Sequence, residues 1–106
     1  AAAPGFLYRE LDRVRVKGKN EPVAIFEPVG HREAVDAGVA QEVAEWDQAL
    51  AMVRARDWDA AQAAIELLRS GRADRPLYRL YLDRIARFRL APPGADWDGV
   101  TNFDTK

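Results

Sequence analysis

The chain has 106 residues, 48% hydrophobic and 31% charged, with three Trp and only seven Gly and six Pro; it can bury the core of one domain and is not a disordered tail. Sixteen Lys and Arg against seventeen Asp and Glu leave a formal net charge of −1, so no overall field gathers nucleic acid or anionic lipid, and neither is an expected partner. Cysteine is absent, which removes disulfides and thiolate metal sites and suits a reducing, cytoplasmic setting, and no apolar run approaches the roughly 20 residues that span a bilayer, so no direct membrane contact is expected of this segment.

Residues 1–5 lack the charged start and apolar centre of a signal peptide and read as a linker or cloning remnant. Phe6 to Tyr8 and Val14 to Lys17 carry aromatic and β-branched residues in short alternating runs, which predicts two strand pieces. In the second piece Val14 and Val16 fall on one side and Arg13, Arg15 and Lys17 on the other, because successive strand side chains point to opposite faces. Gly18, Lys19 and Asn20 supply a turn, and Pro22 to Phe26 returns through Val23 and Ile25, completing a hairpin with Pro22 at the start or edge of the strand. A two-stranded hairpin is marginal in water, so Val14, Val16, Val23 and Ile25 are expected to pack on the helices that follow. Pro28 and Gly30 are expected to end the β pattern.

From about Glu33 the period becomes helical, with Val39, Val43, Trp46, Leu50 and Val53 spaced by four and three. Asp57 is placed to cap a second helix with the stripe Trp58, Ala61, Ile65 and Leu68, and Gly71 lies just past its end. Asp74 and Pro76 start a third, carried by Leu77, Tyr81, Ile85 and Phe88 and stopped before Pro92 and Pro93. The predicted fold is mainly α with an N-terminal β-hairpin, an α+β chain whose three helices form a small bundle. Its predicted divisions are 1–5 linker, 6–30 hairpin, 31–91 helices and 92–106 tail.

The stretches FLYRELD (6–12) and RVRVKGKNEPVAIFE (13–27) together resemble the last β-hairpin of a class III nucleotidyl cyclase catalytic domain, most of all that of bacterial adenylate cyclases. The resemblance implies a parent enzyme that converts ATP to cyclic AMP and pyrophosphate in signal transduction, with Lys17 reaching the triphosphate. A Lys ammonium suits that role as a compact point charge facing a phosphate that gains negative charge as pyrophosphate leaves. The family builds each site between two catalytic domains around Mg²⁺ or Mn²⁺, which implies as partners the remainder of the catalytic domain, a second protomer and ATP. Its metal-binding aspartates, base-recognising residues and transition-state Asn and Arg lie in motifs that have no match here, so this segment alone is expected to bind no cofactor and to be inactive.

The pieces RDWDAAQAAIELL and DRP resemble the second half of a tetratricopeptide repeat, with Ala61 as the small residue at the helix crossing and Ile65 filling the seam; the helical part is therefore identified as a TPR-like bundle. The helices and the tail PPGADWDGVTNFDTK are similar to the C-terminal extension of bacterial adenylate cyclases with an extracytoplasmic sensor, which implies that upstream segments anchor the parent in the inner membrane. The competing interpretation is a self-contained TPR-like interaction module without enzymatic activity.

Other features carry less. On spacing alone Arg13, Arg15, Lys17 and Lys19 are the solvated face of a hairpin. His31, the single histidine, has no neighbouring ligand pattern and is assigned no role. Glu42 with Glu45, and Asp57 with Asp59, are expected on helix surfaces or caps. Trp46, Trp58, Tyr78, Tyr81 and Phe88 suit either a peptide groove or a core, and in so small a domain the core is preferred. Trp97, Val100 and Phe103 either pack on the helices or belong to a free terminus. No GxGxxG, Walker, GxSxG or HExxH motif occurs.

Overall fold

The helices form where the apolar period places them, and the strands run further than expected. The computed structural model describes residues 5–16, 21–71, 75–95 and 97–103. In chain order they build β1 (Phe6–Val16), β2 (Val23–His31), α1 (Ala37–Arg54), α2 (Trp58–Gly71), α3 (Pro76–Leu90) and β3 (Thr101–Phe103). The architecture is α+β and mostly helical: a hairpin, three helices and a short third strand in a sheet of order β2-β1-β3.

β1 is one strand of 11 residues, not two pieces. It pairs antiparallel with β2 from Phe6↔His31 to Val14↔Val23, and the register slips between Glu10 and Asp12, so that Leu11 is the extra residue of a β-bulge. A second slip between Leu7 and Tyr8 sets Tyr8 opposite Pro28. β2 therefore continues through Pro28 and Gly30 to His31, where the sequence suggested a stop. An outer strand tolerates a residue without an N–H because no further ladder depends on it.

α1 starts at Ala37 rather than near Glu33, because residues 32–34 make a turn on the His31 carbonyl and the Asp36 carboxylate caps the helix by accepting from Gly38 N at 2.8 Å. Asp57 caps α2 as expected, accepting from Ala60 N at 3.3 Å, while Gly71 is the helix's last residue rather than the one beyond it. Pro76 opens α3, whose preceding residue is Arg75; Asp74 lies outside the described residues.

The core is the meeting of the three helical stripes: Trp46, Leu50, Val53, Ala61, Ile65, Leu68, Tyr81 and Ile85 are all buried. Tyr78 and Ala49 complete it, so Trp46, Tyr78 and Tyr81 are core and not a groove. Trp58 and Phe88 are only partly buried and stack on each other with ring centroids 5.0 Å apart. Leu7 and Val14 of β1 are also buried. The expected packing of β2 on the helices fails: Val23 is 56% and Ile25 41% exposed, since β1 lies between β2 and the rest of the sheet. The Val16 side chain, expected to pack with them, is outside the described ones. Among the described residues no helix is long and apolar enough to cross a membrane.

Candidate functional site

Lys17, the residue expected to meet a triphosphate, lies outside the described residues. The strands that flank it are described: β1 runs up to Val16, and the last cross-strand pair is Val14↔Val23.

The helices grip the hairpin at the Leu11 bulge. A bulge turns backbone carbonyls out of the ladder, and two buried aromatic side chains reach them: Trp46 Nε1 donates to the Glu10 carbonyl at 2.8 Å, and Tyr81 Oη donates to the Leu11 carbonyl at 2.8 Å. This satisfies the polar tips of two large residues whose rings belong to the core. The two acidic side chains beside the bulge are held as well. Arg54 donates to the Glu10 carboxylate at 3.0 and 3.3 Å, and Arg84 donates to Asp12 at 2.8 and 3.2 Å while lying 4.7 Å from the Tyr81 ring. Burial, with the Asp12 charge beside it, pushes the Tyr81 hydroxyl up to about 12, so it remains a proton donor at neutral pH.

On one side of this seam an open cleft of about 420 Å³ separates the hairpin from α1. Tyr8 and Phe26, edge to face with centroids 6.3 Å apart, line its strand wall, and Asp47, Leu50 and Arg54 line its helix wall. Burial together with the neighbouring Glu10 charge raises the Asp47 carboxyl above the ordinary aspartate value. The cleft's charges are Glu10, Arg13, Asp47 and Arg54, and Arg13 and Arg54 both donate to Glu10.

A second polar cluster sits deeper. Glu42, 3% exposed, accepts from Arg75 Nε at 2.6 Å and Nη2 at 3.2 Å, and also from the Tyr78 hydroxyl. The Arg75 hydrogen bond, working against burial, holds the Glu42 carboxyl below the ordinary glutamate value. Burial and the Glu42 carboxylate push the Tyr78 hydroxyl up. Arg9, equally buried, donates to Glu27 at 2.7 Å across the hairpin. Glu42 is thus an interior ion-pair partner and not the helix-surface carboxylate its spacing suggested. Glu10, Asp12, Arg54 and Arg84 carry no assigned role in the sequence reading; the available signal is two acids among the three arginines of β1 and an Arg next to the apolar stripe of a helix.

No family model, curated protein or solved structure matches the chain.

Proposed function

We propose that this chain is the C-terminal part of a bacterial class III adenylate cyclase: the closing hairpin of the catalytic domain, held by a TPR-like helical extension. One observation carries the reading. β2 is the outer strand of the sheet and presents Val23, Ile25 and Phe26 to solvent at 56, 41 and 52% exposure. The Val23–Phe26 half of that edge carries no charge, proline or bulge, and such an apolar stretch suits contact with a larger β structure, since free edges in complete domains are blunted or covered. The resemblance of residues 6–27 to the closing hairpin of a class III cyclase catalytic domain is what suggests the identity of that larger structure.

In this reading the parent forms cyclic AMP and pyrophosphate from ATP, and Lys17 offers its ammonium to the phosphates as charge builds on the leaving group. Mg²⁺ or Mn²⁺ would supply Lewis acidity at the same phosphates. Among the described residues no group of three or more His, Cys, Asp and Glu is able to hold such an ion, and the aspartates that would do so belong to the remainder of the catalytic domain. The helices hold the strand pair through Trp46, Tyr81, Arg54 and Arg84, so their role is to fix or regulate the hairpin. Support for the TPR-like assignment comes from Ala61 and Ile65, both fully buried at the meeting of the helices.

The test is cyclic AMP formation from ATP by the full-length protein with Mg²⁺ or Mn²⁺. Lys17→Ala is expected to lower turnover about 100-fold, the scale of losing one charge-stabilising donor, with the melting temperature unchanged. Full activity in that variant removes Lys17 from the mechanism, and no cyclic AMP from the wild-type protein removes the cyclase reading itself.

A further inference from the structure

The turn between α1 and α2 contains a conformation that its residue does not favour. α1 ends in a Schellman motif, with Arg56 N donating to Val53 O at 3.0 Å and Asp57 N donating to Met52 O at 2.9 Å. The residue in the left-handed position is Arg56, at φ +65, where glycine is the usual occupant. Its side chain accounts for its presence. The guanidinium donates to the Pro93 carbonyl at 3.2 Å and to the Gly94 carbonyl, and it lies 5.5 Å from the Trp97 ring centroid.

The described residues of the segment that Arg56 holds are packed in turn. Trp97 packs against Phe88 and Trp58, with centroids 5.1 and 6.1 Å away, and its Nε1 donates to Val100 O at 3.3 Å. Gly99, at φ +82, passes so close to α1 that a Cβ there would lie 2.9 Å from Arg54 Cγ. Val100 is buried, its N–H bonded to the Asp98 carboxylate, which in turn accepts from Arg15 on β1 at 2.8 Å. β3 then runs parallel to β1, pairing Val14↔Thr101, Arg15↔Asn102 and Val16↔Phe103. Three residues of parallel pairing do not hold themselves against chain entropy; the anchors at Arg56 and Trp97 make the pairing possible.

We propose that the described residues 93–95 and 97–103 are a positioning strap that ties the α1–α2 turn to the end of β1 and thereby sets the strand that leads into Lys17. Arg56, Trp97 and the Arg15–Asp98 pair act through that strand and are positioning residues. The catalytic consequence rests on the cyclase reading; the tether itself does not.

Arg56→Gly separates the clamp from the fold, because glycine accepts φ +65 without strain while losing every bond to the strap. In the full-length protein this variant is expected to melt within a few degrees of wild type, to raise amide exchange at Val14, Arg15 and Val16 about tenfold through local opening, and to lower kcat for cyclic AMP formation about tenfold with KM for ATP unchanged. Arg15→Asp and Asp98→Arg are each expected to do the same, and the double exchange to restore the part of both readouts that the ion pair carries, which a merely structural loss would not. Unchanged exchange at Val14 to Val16 in Arg56→Gly and in Trp97→Ala overturns the strap. Faster exchange with unaltered kcat overturns its control of Lys17. If Lys17→Ala is itself without effect, the cyclase reading fails while the exchange measurements still judge the tether.

Discussion

Glu42 accepts from both Arg75 and Tyr78 in a site where it is 3% exposed, so its carboxylate has exchanged water for two charge-assisted bonds and one phenolic one. A buried charge of this kind is costly to strand: removing one partner leaves the others desolvated and unpaired. Glu42→Gln keeps the shape and loses the charge, and should lower stability by about 2 kcal/mol, read as a fall in the urea midpoint at constant slope. The pH dependence follows from the same contact. Because the folded carboxyl titrates below the ordinary glutamate value of 4.5, chiefly through the Arg75 bond, its contribution is fully present above that value and is lost as pH falls through the folded pKa. The wild-type melting temperature should therefore drop on acidification below about pH 4.5 by more than that of Glu42→Gln; parallel curves for the two proteins would show that this contact does not contribute.

At the scale of elements, the Leu11 bulge joins two layers that would otherwise share little. Its two displaced carbonyls take Trp46 Nε1 and Tyr81 Oη, so Tyr81→Phe, which keeps the ring and deletes only the donor, should cost about 1 kcal/mol. Trp46→Phe should cost about 3 kcal/mol, adding a cavity in the core to the same lost bond. Denaturant titrations of both variants decide it, and equal losses would place the whole effect in the hydrogen bonds. The three helices were legible from sequence because Val43, Trp46, Leu50 and Val53, and their counterparts on the other two, repeat at a helical interval and are buried for that reason. The strands were less legible. Bulges at Leu11 and at Val29 let β1 and β2 continue past residues that break a simple alternation, and a bulge leaves no composition signal of its own. The seam was not legible at all, since Glu10 with Arg54 and Asp12 with Arg84 are 44 and 72 residues apart and no local period links such pairs.

The whole molecule is less compact than its length allows: the Cα radius of gyration is 14.7 Å with extents of 41 × 32 × 21 Å, against about 13 Å for a close-packed chain of this size. β2 stands at the sheet edge with Val23, Ile25 and Phe26 exposed. Glu27 and Pro28 blunt the far half of that edge, a charge and a residue without an N–H; the near half has no such protection. The chain in isolation should accordingly self-associate as its concentration rises, and Phe26→Lys should return it to monomer in sedimentation equilibrium without lowering its melting temperature. In the full-length protein the same substitution should have the opposite consequence. If the remainder of a catalytic domain covers β2, Phe26 becomes interior there, and placing an ammonium against apolar neighbours should cost about 2 to 3 kcal/mol. Phe26→Lys that is tolerated in both settings would mean that the edge is a true outer surface and that the sheet ends at β2.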